Sequence, residues 1–163
     1  MKAFSEMTLQ ELLLPEGHPC ACGQRHQAGL RRVHIGSEAL GSLPDVLSEL
    51  HIKKPFIFSD RNTRRAAWGY LEPILLETGI PFVEYAFDKE HLEPDEQACG
   101  SLVMAFDPSC DGLLAIGSGV LNDVGKVFAH TVRLPLVAVA TAPSMDGYAS
   151  DNASMIRGRV KVS

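Results

Sequence analysis

Four short apolar runs recur along this chain at intervals that a helix would fill, and this spacing constrains the fold more than any other feature. The runs are residues 55–59 (PFIFS), 82–87 (FVEYAF), 112–116 (GLLAI) and 136–140 (LVAVA). Each is too short to be a core helix, and most are nearly continuous in apolar residues, as strands are when both sheet faces are covered. The intervening segments 63–78, 94–106 and 121–132 are helix-length, and the first runs into Gly79. Strands alternating with helices of this size predict βαβ units and a mostly parallel sheet, an α/β fold.

Upstream the pattern is less regular. Residues 38–50 predict a helix with Leu40, Leu43, Leu47 and Leu50 on one stripe; Pro44 falls in its first turns, where it costs least. Residues 32–35 predict a further strand, and 8–14 a short amphipathic helix stopped by Pro15. Residues 16–29 read as a loop rich in Gly, Cys and His. At the far end, 155–162 (MIRGRVKV) alternate as an antiparallel strand or hairpin would. The expected organisation is an N-terminal helix and Cys/His loop over 1–29, then one Rossmann-like α/β domain over 30–163.

Composition narrows the partners. A length of 163 residues with 45% hydrophobic and 21% charged residues suits one globular domain with a sizeable core. A net charge of −5 argues against nucleic acid or an anionic membrane as the main partner, although a local site can still hold a phosphate. Residues 1–14 carry Glu6 and Glu11 and no apolar h-region, and the longest apolar run, 134–142, is too short to span a bilayer and contains Pro135. The expected location is the cytoplasm, with the four cysteines as reduced thiols.

Chemistry concentrates in two loops. Strand 112–116 runs into Gly117-Ser118-Gly119 before the next helix. Glycines let the backbone approach a phosphate closely, and a helix N-terminus directs free N–H groups at it. This is a G-x-G turn in which Asn122 takes the place of the third glycine of the dinucleotide fingerprint. A tight βα turn also needs glycine for its geometry alone. Asp123 and Lys126 follow, either as ordinary helix charges or as groups near the carboxyl edge of the sheet. The last apolar run leads into Thr141-Ala142-Pro143-Ser144 and then Met145-Asp146-Gly147-Tyr148-Ala149-Ser150. If the strands are parallel, both loops lie on one sheet edge. Their hydroxyls and the Asp146 carboxylate suit a ribose, a phosphate and a polyol; a Pro/Gly-rich turn with Asp146 as its cap is the plainer alternative.

Together the strings G-S-G-V-L-N-D-V-G-K from Gly117 to Lys126 and P-L-V-A-V-A-T-A-P-S-M-D-G-Y-A-S from Pro135 to Ser150 resemble the sn-glycerol-1-phosphate dehydrogenases. That family belongs to the wider group of iron-containing alcohol dehydrogenases, glycerol dehydrogenases and dehydroquinate synthases. The H-P-C-A-C-G-Q-R-H stretch from His18 to His26 resembles the bacterial branch. The resemblance implies that Gly117, Ser118, Gly119, Val120 and Leu121 hold the pyrophosphate of NAD or NADP. It implies that Thr141, Ala142, Pro143 and Ser144 continue the cofactor site, with Ser150 adding a contact. It implies that Asp60 faces the adenosine ribose, which favours NAD over NADP, and that Asp146 binds the substrate, dihydroxyacetone phosphate or glycerol 1-phosphate. Members of the family are longer and are expected to be homo-oligomers when complete. Their metal, Zn²⁺ or Ni²⁺, is held by an Asp and two His in a helical C-terminal domain. Those ligands are expected beyond Ser163, so these 163 residues should bind a nucleotide weakly or not at all and should not turn over substrate. Alternatives are a glycerol dehydrogenase or a dehydroquinate-synthase-like enzyme on the same scaffold, or a non-catalytic nucleotide-binding fragment.

Three other groupings carry plainer readings. His18, Cys20, Cys22 and His26 contain zinc-ligand residue types, but C-x-C is tighter than the usual C-x₂₋₄-C, and the resembled family carries this stretch as a loop. Arg61, Arg64 and Arg65 read as a solvated helix face, with a cofactor-phosphate contact as the sharper option. Trp68 and Tyr70 read as packing residues of a core or an interface.

Overall fold

The computed structural model describes residues 4–143, 145 and 147–163. Helix α1 (Leu9–Leu12) is followed by a small antiparallel ribbon, β1 (His18–Pro19) and β2 (Arg25–His26). Helix α2 (Leu43–Glu49) then leads into the alternating part of the chain. That part runs β3 (Pro55–Asp60), α3 (Arg61–Thr78), β4 (Val83–Phe87), α4 (Glu96–Ala105), β5 (Gly112–Ile116), α5 (Gly119–Val132) and β6 (Leu136–Val139). A hairpin, β7 (Met155–Arg157) and β8 (Val160–Val162), follows.

The four long-range strands form one parallel sheet in the order β4-β3-β5-β6. Period-two alternation divides the central strands between two cores. Phe56, Phe58, Leu113 and Ala115 face Ala98 and Leu102 of α4 and Leu121, Val124 and Phe128 of α5. Ile57, Leu114 and Ile116 face Leu43 and Leu47 of α2 and Trp68, Leu71 and Leu75 of α3. Every residue of β5 is buried, as are the first five of β3, so these strands are sealed on both faces. This is the expected α/β architecture, with helices on both sides of a parallel sheet.

The chain order of the strands fixes where a ligand can enter. From β3 the chain winds through α3 to β4 on one side, then crosses through α4 to β5 on the other. The winding direction reverses between β3 and β5. At such a switch point, the loops leaving the two strands separate and open a crevice at the carboxyl edge.

Several boundaries differ from expectation for local reasons. Residues 32–35 form no strand: the described residues offer this segment no ladder partner, and Ile35 is 84% exposed. Arg32 instead pairs with Glu49 at 2.8 Å. The expected helix over 38–50 divides at its proline. Ala39–Ser42 is a 3₁₀ turn, and α2 begins next to Pro44, whose missing N–H costs nothing in a first turn. Helix α3 starts at Arg61, two residues early, because Asp60 accepts the backbone N–H groups of Asn62 and Thr63. The expected hairpin is present, with Gly158 and Arg159 both at positive φ, as a tight two-residue turn demands. It docks on the segment leading into α4 through the Ile156 N–H to Pro94 carbonyl bond, at 2.7 Å. No helix among the described residues is long and apolar enough to cross a membrane.

At the amino edge of the sheet, Asp111 accepts the N–H groups of Lys53 and Lys54, and the Lys54 ammonium meets Asp107 at 2.7 Å. The Lys54 contact and two bonds from Ser109 hold the Asp107 carboxyl well below the ordinary carboxylate range. Gly112 opens β5 beside these contacts, and a Cβ there would lie 2.5 Å from the Ile52 side chain. Ile52 is 2% exposed and cannot swing into solvent. Gly112→Ala is therefore expected to destabilise the fold by about 1–3 kcal/mol, the usual cost of overpacking a core. Chemical denaturation read by circular dichroism would measure this.

Candidate functional site

The site is built around the turn between β5 and α5. Gly117 is buried, and its N–H donates to the Val139 carbonyl at 3.0 Å, which ties the turn to the end of β6. A Cβ on Gly117 would lie 2.3 Å from the Leu121 side chain, so only glycine lets the helix start this close to the strand. Ser118 is the N-cap in an extended conformation, and its side chain makes no capping bond. Gly119 follows at φ 29°, inside the region that favours glycine. The first-turn amides of Gly119 and Val120 therefore have neither an intrahelical acceptor nor a serine cap, which leaves donors for an anion. Leu121 contributes differently. Its side chain is 1% exposed, and its N–H is committed to the Ser118 carbonyl at 2.9 Å. It shapes the turn and has no free donor.

Asn122, in the position of the fingerprint's third glycine, is 3% exposed, and its Nδ2 donates to the Gly147 carbonyl at 3.3 Å. The close helix–sheet contact that a third glycine would permit is made one turn later. A Cβ on Gly125 would lie 3.1 Å from the Phe58 ring.

The loop after β6 is stitched onto α5. Lys126 Nζ donates to the carbonyls of Gly147, at 2.6 Å, and Asn152, at 3.0 Å. Tyr148 reaches back with its hydroxyl to the Gly117 carbonyl at 3.4 Å and hydrogen-bonds the Ser118 side chain. Burial pushes the Tyr148 hydroxyl up, partly offset by Ser118. Burial also pushes Asp123 up, opposed by the Lys126 charge and the Ser154 backbone N–H. The two polar loops are thus in contact, as expected from parallel strands. Lys126 holds backbone carbonyls here and is neither a solvated lysine nor free to hold a phosphate. Asn122, Lys126 and Tyr148 are the residues whose parts in the site the sequence did not signal. The hints were that Asn122 stands where a glycine belongs and that Lys126 falls near the carboxyl edge of the sheet.

The other expected site residues are distributed as follows. Asp60 ends β3, one register step beyond the Ser59–Ile116 pair, and so lies on the same carboxyl edge as Gly117. Its Oδ1 accepts from Asn62 and Thr63, each at 2.8 Å, while Oδ2 has no hydrogen bond among the described residues. Thr141 and Ala142 are half-buried just past β6, and Pro143 is exposed. Ser150 is exposed, and its hydroxyl accepts the Asn152 N–H at 3.1 Å within the loop. Ser144 and Asp146 lie outside the described residues. Within the arginine cluster, Arg65 is exposed and two members make ion pairs. Arg61 pairs with Asp88, and Arg64 pairs with Glu84 and stacks 4.9 Å over Trp68. Trp68 is a core residue, as expected, whereas Tyr70 is 74% exposed.

The arrangement could hold a pyrophosphate: two uncapped first-turn amides stand beside the switch point, at a turn whose Gly117 admits no side chain. The histidines lie elsewhere, with His18 and His26 on the ribbon and His130 exposed in the last turn of α5.

Residues 34–163 match the family model described as iron-containing alcohol dehydrogenase. The chain is 33% identical over 148 residues to the glycerol-1-phosphate dehydrogenase [NAD(P)+] of Halalkalibacterium halodurans, covering 88% of this chain and 37% of that protein. It is 27% identical over 123 residues to the enzyme of the same name from Methanococcus maripaludis, covering 74% of this chain and 31% of that protein. The chain thus spans about a third of the length of these curated relatives. Among solved structures, an iron-containing alcohol dehydrogenase from Thermotoga maritima superposes with a TM-score of 0.66 at 15% identity, over 79% of this chain and 41% of that one. One from Thermococcus thioreducens gives 0.65 at 17% identity, over 80% and 40%.

The stitching of the second loop can be tested directly. Lys126→Met keeps the length and apolar stem of the side chain but removes both bonds to the loop carbonyls. Such charge-assisted bonds are worth about 1.5–3 kcal/mol each. Amide exchange and proteolytic cleavage within 147–152 should accelerate at least about tenfold, with little change in protection of β3 and β5.

Proposed function

The chain belongs to the iron-containing alcohol dehydrogenase family, and from that premise we propose that its β5–α5 turn and the loop after β6 form the dinucleotide side of an NAD(P)-dependent dehydrogenase. The reaction proposed is the interconversion of dihydroxyacetone phosphate and sn-glycerol 1-phosphate by hydride transfer. The observation that carries the reading is the Gly117–Gly119 turn: Gly117 is buried and intolerant of a Cβ, and the first-turn amides that follow are satisfied by neither the helix nor Ser118. The names of the curated relatives support the choice of substrate.

Each group then has a task. The Gly119 and Val120 amides bind the pyrophosphate, and the helix dipole of α5 adds to the attraction. Thr141 and Ala142 border the same edge and continue the cofactor site with Pro143 and Ser144. Asp60 uses Oδ1 to cap α3 and Oδ2 to receive the adenosine ribose hydroxyls. Its charge repels a 2′-phosphate, so NAD is the preferred form. Asp146 binds the polyol hydroxyls, and Ser150 adds an outer contact. The bound dinucleotide supplies or accepts the hydride. A divalent metal, Zn²⁺ or Ni²⁺, would be held by ligands other than those at this edge. These residues therefore represent the cofactor side of the reaction.

Ligand-observed NMR of the 163-residue chain with NAD⁺ and NADP⁺ would test the site. Weak binding of NAD⁺ is expected, and Gly117→Val should abolish it. Asp60→Asn keeps the cap but removes the charge, and should improve NADP⁺ binding relative to NAD⁺ by at least about fivefold, the scale of one like-charge contact. No NADH oxidation is expected when dihydroxyacetone phosphate is added to these residues alone. Turnover under those conditions would overturn the assignment of the metal ligands to other segments.

A further inference from the structure

The β1–β2 ribbon has no part in the proposed cofactor site, yet it gathers a set of metal-ligating side chains. Cys20, Ala21, Cys22 and Gly23 form a tight turn between the strands. It is closed by the Gly23 N–H to Cys20 carbonyl bond at 3.0 Å and the Cys20 N–H to Gln24 carbonyl bond at 2.9 Å. Gly23 sits at φ 83°, a conformation that favours glycine and lets the chain reverse immediately after the second cysteine. The returning strand then brings up His26, whose Nε2 lies 3.2 Å from Cys22 Sγ. The ligand atoms of Cys20, Cys22 and His26 all lie within 4.8 Å of one another. Zinc bonds of about 2.3 Å to sulfur and about 2.0–2.1 Å to nitrogen imply ligand separations of about 3.5–3.8 Å in a tetrahedral site. The observed cluster needs only small side-chain adjustments to meet them.

The surroundings favour an ion. The backbone N–H groups of Cys22 and Ala21 hydrogen-bond the Cys20 sulfur. Arg25, the cation nearest in sequence, is turned away and donates to the Glu16 and Gly17 carbonyls, so it does not neutralise the thiols. His18 stands opposite His26 in the ribbon, but its Nε2 is engaged with the Glu11 carbonyl at 2.6 Å. The Phe4 ring stands nearly perpendicular to both imidazoles, with centroid separations of 6.0 and 6.1 Å. Among residues 4–29 only Gly17 and His18 are buried. Two strands of two residues each cannot stabilise themselves without a core, and small units of this kind depend on staples.

We propose that Cys20, Cys22 and His26 bind one zinc-class divalent ion through two thiolates and an imidazole Nε2, with water in the fourth position, and that this ion staples the N-terminal ribbon. The two thiol protons pass to solvent on binding, so affinity falls as the pH is lowered. The tight C-x-C spacing is no obstacle here because the turn directs both sulfurs to one side.

Anaerobic titration of the reduced 163-residue chain with Co²⁺ tests the proposal. One equivalent should give near-ultraviolet thiolate-to-cobalt charge transfer and the intense visible bands of tetrahedral Co²⁺, both lost on adding Zn²⁺. Cys20→Ser and Cys22→Ser should each strongly reduce the charge-transfer band, and the double variant should lose it. His26→Gln should lose the tetrahedral bands, and Cys99→Ser should keep everything. All three cluster side chains lie on the ribbon and outside the sheet core, so circular dichroism should show the fold retained in each variant. A metal held elsewhere by carboxylate and imidazole gives no thiolate band, so this result is independent of the cofactor reading. The proposal is overturned by the absence of a thiolate band, by its persistence in the double cysteine variant, or by thiol counting that finds Cys20 and Cys22 joined as a disulfide in the native protein.

Discussion

The close seating of α5 on the sheet is the contact from which the site follows. Two glycines create it: Gly117 admits the Leu121 side chain, and Gly125 admits the Phe58 ring. With Leu121, Val124 and Phe128 sunk into the core, the axis of the helix is fixed, and its N-terminus is held at the carboxyl ends of the central strands. A helix that rode even one methyl group higher would withdraw the Gly119 and Val120 amides from that edge. The polar site is therefore positioned by apolar packing. The donors need no side chain of their own because the backbone has been placed for them.

Once seated, α5 organises the neighbouring loop. Asn122 and Lys126 lie one turn apart on the same face, and both donate to the Gly147 carbonyl. Tyr148 closes the circuit by returning to Gly117 and Ser118. The arrangement is reciprocal, since the helix holds the loop and the loop's tyrosine holds the turn that starts the helix. Asp123 stands beside Lys126 in a half-buried setting that disfavours its charge. Its partner's charge and the Ser154 N–H offset that penalty, which also anchors the chain as it leaves the loop.

Most of this architecture was legible in the sequence because the two central strands are sealed on both faces. The runs PFIFS and GLLAI have no plausible place except the centre of a covered sheet, and both are there. The strand expected over 32–35 failed for the complementary reason. Its few apolar residues resemble a strand locally, but pairing depends on a neighbour that local pattern cannot supply. The glycine turn was legible as geometry, and the shared edge of the two loops followed from parallel strands. What could not be read was the direction of individual polar side chains. Lys126 looks like any helical lysine until the loop carbonyls are in place, and Arg61 and Arg64 look free until β4 brings Glu84 and Asp88 alongside. The ribbon was hidden for a similar reason. C-x-C spacing counts residues, whereas ligand geometry depends on a turn that Gly23 makes possible.

In the proposed cofactor site, Asp60 would serve both stability and recognition. Its two oxygens are not equivalent in the folded chain. Oδ1 faces the first turn of α3, where two backbone N–H groups fix it. Fixing one oxygen also fixes the plane of the carboxylate, and so the direction of the other. The cap thus supplies the preorganisation that a ribose contact needs, because the rotamer entropy is lost during folding and not on binding. A residue that caps well but carries no charge would leave α3 intact while losing the proposed bias against a 2′-phosphate. A residue that cannot cap would lose both. On the proposed reading, discrimination between the two dinucleotides would be tied to the stability of α3 through its N-cap residue.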